Sequence, residues 1–180
     1  ASPPLKGAGG MYQTISPKIF VFSPELITFA TISNSLKLMY TLSIYLVRAF
    51  LPIVALFSKK IRLFVSGRKS VWTTLSTHLD PQARYVWVHT ASLGEFEQGL
   101  PVIKALRKQG YKVLVTFFSP SGYEVRKNTP DADIVVYLPL DTRTNARKFV
   151  QLVNPAMAIF VKYEFWVNYL NELKKAQVPT

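Results

Sequence analysis

Apolar positions fall into two regimes along this chain. Over residues 38–57, LMYTLSIYLVRAFLPIVALF, they are almost continuous, interrupted by one charge, Arg48, and one proline, Pro52. From Tyr85 onward they come in short runs separated by mixed segments. YVWV at 85–88, YKVLVTFF at 111–118, DIVVYL at 133–138 and AMAIFV at 156–161 read as strands buried on both faces. Helices are predicted over 95–108, from the 119–122 turn to about 127, over 142–153 and over 164–176. Strands alternating with helices predict a parallel sheet built from right-handed βαβ units, a Rossmann-like α/β domain over 85–180. Val178 reads as the opening of a fifth strand, so the domain is expected to be truncated at its carboxyl end.

The continuous run asks for a different solvent. At 1.5 Å per residue, a stretch of this length matches the ~30 Å hydrocarbon core of a bilayer. Lys59, Lys60 and Arg62 follow at once, and positive charge after an apolar segment marks the cytoplasmic side. Arg48 opposes a spanning helix, at a cost of roughly 2.5–3.5 kcal/mol near the centre. A helix lying in the interface would let Arg48 and the basic residues reach headgroups. Residues 38–66 are therefore expected to form a membrane anchor or an interfacial helix; an apolar helix packed on the globular domain is the remaining reading. Gly67-Arg68-Lys69 is a basic turn, either a solvated start to a linker over 67–84 or a second headgroup contact through Arg68 and Lys69. Residues 1–37 begin ASPPLKGAGG and show no clear period, as a disordered or non-native leader would. They lack the charged start and compact apolar core of a signal peptide.

Composition removes several chemistries. Cysteine is absent, which excludes disulfides, thiolate metal sites and cysteine nucleophiles, and two histidines are too few for a histidine-rich metal site. The net charge of +12 favours anionic partners. Nucleic acid has no support beyond that charge, since no stacking or groove-reading motif accompanies it.

The richest stretch is YVWVHTASLGEFEQG at 85–99. It runs from strand through a small-residue loop into a helix, so the loop lies at the carboxyl end of the sheet, where open α/β folds bind ligands. His89, Ser92, Glu95 and Glu97 lie close together in it. Glu95 falls in the first helical turn, where free N–H groups and the helix dipole favour an anion. A carboxylate held anionic beside a ligand crevice is a candidate general base. Glu95 and Glu97 are two apart and point to different sides of the helix, so they are not a dyad. The loop lacks G-x-G-x-x-G, and no Walker sequence or G-x-S-x-G elbow occurs. Two other strand-end groups should share this edge: the turn Ser119-Pro120-Ser121-Gly122, and Lys162-Tyr163-Glu164-Phe165-Trp166. Each has a plain structural explanation as a cap, a turn or a first-turn charge. Their convergence on one edge beside a membrane-seeking segment favours function.

Together VWVHTASLGEFEQGLPVIKALR, TFFSPSGYE, YLPLD and KYEFW resemble the Kdo (3-deoxy-D-manno-octulosonic acid) transferases of lipopolysaccharide biosynthesis. The resemblance runs from about Met39 to Thr180 and includes Gly67-Arg68-Lys69. It covers the amino-terminal half of such an enzyme. It implies a GT-B glycosyltransferase with two Rossmann-like domains, this half taking the lipid A precursor and the other taking the donor CMP-Kdo. The implied reaction is an inverting transfer at the cytoplasmic face of the inner membrane, with no cofactor and no metal at the glycosyl centre. Carried onto this chain, the family's S-x-G-E glutamate falls on Glu95 as general base, and its E-x-W glutamate on Glu164. His89, Ser92, Gly94, Ser119, Ser121, Gly122 and Trp166 are then expected to bind or support the acceptor. The family often has E-T-E-L-W where this chain has Lys162-Tyr163-Glu164-Phe165-Trp166, so any role of the first acid is lost here. The competing reading is a non-catalytic, membrane-tethered α/β module that binds anionic lipid or a partner protein.

Overall fold

The computed structural model describes residues 34–162 and 164–180. The expected leader at 1–37 lies almost wholly outside them. The apolar run forms helix α1, Asn34–Phe57. Its large side chains point outward: Leu38, Met39, Phe50, Ile53 and Leu56 are all more than half exposed. The window Leu36–Phe57 is long and apolar enough to cross a membrane, and 11% of it is buried among the described residues. That exposure does not describe a helix packed into a core, and it is consistent with membrane association. Helix α2, Lys59–Gly67, starts at Ser58, whose hydroxyl accepts from the Ile61 N–H, and packs against α1. Helix α3, Val71–His78, follows. Val71 and Leu75 are fully buried in the domain core, so the stretch expected as a linker over 67–84 contributes to the core instead.

Four parallel strands make the sheet: β1 Tyr85–Thr90, β2 Lys112–Phe117, β3 Ile134–Tyr137 and β4 Met157–Phe160, in the order β3-β2-β1-β4. Connecting them are α4 Leu93–Lys108, α5 Pro120–Arg126 and α6 Arg143–Val153, and α7 Val167–Lys175 follows β4. Both faces of the sheet are covered, which is why its strands read as unbroken apolar runs. Val86, Val88, Val113 and Val115 pack on Phe96, Ile103 and Leu106 of α4. On the other face Trp87 meets Phe149 of α6, Phe160 and Tyr169 of α7 at ring distances of 4.8, 5.2 and 5.5 Å. Aromatic pairs of this kind add about 0.5–1.5 kcal/mol each beyond the area they bury.

Helix ends follow the sequence. Gly110, at φ 85°, closes α4: its N–H bonds the Arg107 carbonyl and the Tyr111 N–H bonds the Leu106 carbonyl. This is the Schellman pattern, which needs a left-handed residue. Asn154, at φ 41°, ends α6 just before Pro155. Two expectations shift. The last helix begins at Val167 rather than at 164, because Lys162 adopts φ 65° and the Glu164 N–H turns back onto the Lys162 carbonyl. Around Val178 no strand forms, although the Ala158 N–H of β4 donates to the Pro179 carbonyl at 2.9 Å.

The strand order sets where a site can form. The chain steps from β1 outward through β2 and β3, then crosses back to place β4 on the other side of β1. The carboxyl ends of β1 and β4 therefore flank the switch point, the usual ligand crevice of an open α/β sheet.

Candidate active site at the sheet switch point

Glu95 lies in the first turn of α4, directly after β1. Its Oε2 accepts hydrogen bonds from the Ala91 N–H and, at 3.2 Å, from the Ser92 N–H. Ser92 is the N-cap, so this is the carboxylate half of a capping box. Oε2 holds the loop, and Oε1 takes no part in those bonds. A Cβ built on Gly94 meets nothing within 4 Å, so the space in front of this helix terminus is open.

Glu164 approaches from the segment after β4. It is partly buried, and burial raises its pKa; the negative charge of Glu95 raises it further. The two carboxylates are therefore electrostatic neighbours, contributed by adjacent strands across the switch point. Trp166 Nε1 favours the Glu164 anion but makes no hydrogen bond of normal geometry, and that indole N–H is buried. The Trp166 ring stands edge-on to His89 at 5.6 Å and packs on Phe118 at 4.8 Å.

His89, the fifth residue of β1, is fully buried. Burial pushes its pKa down to about 3, against an opposing effect of the Thr116 carbonyl and aided by the Arg68 charge. The ring is neutral at physiological pH, so the 3.9 Å approach of its Nε2 to Glu164 Oε2 is not an ion pair. Its Nδ1 contacts Thr116 Oγ1 at 2.8 Å, and that hydroxyl also receives the Trp87 indole N–H at 2.8 Å.

The 119–122 turn meets the first loop, with the Ser119 N–H on the Ala91 carbonyl at 2.8 Å. Ser119 caps α5 and shares a 2.9 Å contact with the Ser121 hydroxyl. Gly122 is a packing requirement: a Cβ there would stand 2.3 Å from Phe117 and 3.0 Å from the Leu93 nitrogen.

Lys59, Lys60, Arg62 and Lys69 are exposed beside α1, as headgroup contacts require. Arg68 departs from that expectation. Its guanidinium turns inward and donates to the carbonyls of Phe64, Phe118 and Leu138 at 2.8–2.9 Å. It also lies 3.5 Å over the Phe64 ring. Burial lowers its pKa to about 9, which leaves it charged. A planar fork with its donors in fixed directions suits three carbonyls better than any lipid phosphate could here.

Sequence reasoning passed over Thr116, Trp87, Tyr40 and Asp141 as individual residues. Thr116 had a signal, a hydroxyl inside the apolar run VLVTFF. Asp141 closes the quoted YLPLD motif, but its partners on α1 and α7 gave no local signal of its role.

Glu95 and Glu164 thus follow two adjacent strands, β1 and β4, at the switch point of a Rossmann-like α/β unit. The chain belongs to the 3-deoxy-D-manno-octulosonic-acid transferase (kdotransferase) family, whose amino-terminal model matches residues 65–180. Among curated relatives, the Aquifex aeolicus 3-deoxy-D-manno-octulosonic acid transferase is 42% identical over 82 residues, 45% of this chain and 23% of its own length. The Haemophilus influenzae enzyme of the same name is 26% identical over 137 residues, 74% of this chain and 31% of its own. That from Bordetella pertussis is 30% identical over 105 residues, 55% and 24% respectively. The chain thus spans less than a third of the length of these relatives.

Proposed function

We propose that this chain belongs to the acceptor-binding half of an inverting GT-B glycosyltransferase that moves Kdo from CMP-Kdo to a lipid A precursor. In this reading residues 85–180 bind the acceptor, residues 38–66 hold them at the cytoplasmic face of the inner membrane, and a second Rossmann-like domain supplies the donor site. Family membership supports the chemistry. The observation that carries the residue assignment is that Glu95 and Glu164 follow the adjacent parallel strands β1 and β4 at the switch point, beside Gly94, where an added Cβ would meet nothing within 4 Å.

Glu95 takes the proton of the acceptor hydroxyl as its oxygen bonds to the anomeric carbon of Kdo. The bond from that carbon to the cytidylate oxygen breaks, and CMP leaves with the electron pair. An unaided hydroxyl is a poor nucleophile, and a base within about 3 Å is typically worth 10²–10⁴-fold. The exposed apolar face of α1 suits an acceptor whose acyl chains stay in the bilayer, and the basic residues beside it suit its phosphates.

The test is Glu95→Gln in an enzyme of the relatives' full length. The amide oxygen still accepts from Ala91 and Ser92, so the cap survives while the base is lost. We expect kcat to fall by about 10²–10⁴ with acceptor KM little changed. Normal kcat in the folded variant would reduce Glu95 to a cap.

A further inference from the structure

We propose that His89 is a positioning residue of this site: its Nε2–H, fixed by the chain Trp87–Thr116–His89, holds the Glu164 carboxylate beside Glu95. The inference rests on the transferase reading for its purpose but not for its geometry. Trp87 Nε1 can only donate, and it donates to Thr116 Oγ1. The Thr116 hydroxyl can then donate to His89 Nδ1, 2.8 Å away; the other tautomer would put an Nδ1–H on Thr116 instead. In the first arrangement, the one proposed, the imidazole proton is on Nε2, a buried atom with no hydrogen-bond partner, 3.9 Å from Glu164 Oε2. The gap exceeds a hydrogen bond. Catalytic contacts of this kind shorten when substrate closes the site.

The chemical sense of a neutral donor follows from Glu95. A second carboxylate nearby adds negative charge to the place where the acceptor proton is to be taken up. A cation at position 89 would orient Glu164 but cancel that field. A neutral N–H orients it and leaves the negative charge in place. Around His89 the charged groups are Glu164 and Arg68, and around Glu164 the titratable neighbours are Glu95 and the neutral His89. Burial with Phe160 and Trp166 packed against the ring keeps His89 neutral.

Nitrogen-15 NMR of the histidine ring in the full-length enzyme reads the tautomer without any assay. The expected signal is a neutral, Nε2-protonated ring that stays so from pH 5 to 8; a ring protonated on Nδ1, or one titrating near 6.5, overturns the proposal. In the activity arm, Thr116→Val frees the ring and His89→Leu removes it. Both are expected to lower kcat about tenfold with KM within twofold, and to move the acid limb of the kcat/KM profile upward. His89→Gln, which keeps an N–H near the Nε2 position, and Thr116→Ser should restore most of the loss. Folded His89→Leu with an unshifted acid limb overturns the proposal. Should Thr116→Val not fold, the wild-type tautomer and a carbon-13 titration of Glu164 in His89→Gln decide it: a Glu164 midpoint near that of wild type supports it, and one raised as in His89→Leu overturns it. If Glu95→Gln keeps full activity while the tautomer is as expected, the base assignment fails and the hydrogen-bond chain stands.

Discussion

Tyr40 Oη donates to Asp141 Oδ2 at 2.7 Å, joining residues 101 positions apart. Tyr40 lies on α1, inside the apolar window Leu36–Phe57, and Asp141 lies in the loop after β3. The same buried carboxylate accepts from the backbone N–H groups of Asn168 and Tyr169 at the start of α7. One side chain therefore fastens the apolar helix to the carboxyl edge of the sheet. A helix passed end-on through hydrocarbon would carry that edge in with it, whereas one lying in the interface keeps the edge at headgroup depth. In the membrane-bound form proposed above, the bond would suit the interfacial arrangement.

Tyr40→Phe tests this fastening. It removes a hydrogen bond to a carboxylate, worth about 1.5–3 kcal/mol, and leaves Asp141 two backbone donors. The expected result is a loss of that size in detergent-solubilised protein, with faster proteolysis at the α1–α2 junction near Ser58. Unchanged stability would show that α1 is held by something other than this bond.

Two glycines of the site should separate packing from ligand space. Gly122→Ala forces its Cβ against Phe117 and the Leu93 backbone, and overpacking of this kind costs about 1–3 kcal/mol. Gly94→Ala points into open space. It should leave the melting temperature within a degree or two and instead raise the acceptor KM. A destabilised Gly94→Ala would mean that the space in front of α4 is filled in the folded protein.

The sheet, its helices and the position of Glu95 were legible because each rests on local pattern. Strands buried on both faces give unbroken apolar runs, and a short small-residue loop after β1 announces the turn into a helix. The failures have two physical causes. Arg68 reads as a surface cation beside an apolar helix, yet two of its three acceptors are carbonyls at the ends of β2 and β3. Val71 and Leu75 sit in a stretch too short to look like more than a linker, and only the sheet face above them makes them core. For these residues the deciding partners are distant in sequence. The start of α7 turned on a local event, Lys162 taking a left-handed φ, a conformation its side chain does not favour.

Acid titration should expose two opposing groups. His89 is pushed from its ordinary 6.5 to about 3. Below 6.5 the unfolded chain binds a proton that the folded chain refuses, so stability from this group is lost as pH falls, about 2 kcal/mol by pH 5. Asp141 is pushed from 3.8 up to about 6 by burial, against the bonds from Tyr40, Asn168 and Tyr169. Between those values the folded chain keeps a proton that the unfolded chain has released. Its contribution is full below 3.8 and is lost as pH rises to about 6. From pH 4 to 6 the two slopes nearly cancel in the wild type. His89→Gln removes one of them, so urea denaturation should show the variant gaining about 2–3 kcal/mol on acidification from pH 6 to 4 relative to the wild type. Parallel profiles would mean that His89 is not held neutral.

Arg68 and Lys69 are adjacent basic residues to which the fold gives opposite surroundings. Arg68 bonds three carbonyls and lies over Phe64, while Lys69 is exposed next to α1. Arg68→Lys keeps the charge but cannot span the fork. Each carbonyl left without a donor costs about 1–3 kcal/mol, so the loss should be on the order of 3 kcal/mol, with a clear fall in melting temperature. Lys69→Gln should leave the melting temperature unchanged. Its effect should appear in co-sedimentation with phosphatidylglycerol vesicles, where one lysine near the surface is worth about 1 kcal/mol, or roughly fivefold in affinity. That loss should shrink as salt is raised, since surface charge is screened. A folded, thermally normal Arg68→Lys, or an Arg68→Met that binds vesicles less well without losing stability, would return Arg68 to the membrane surface and overturn its placement as the clamp between α2 and the sheet edge.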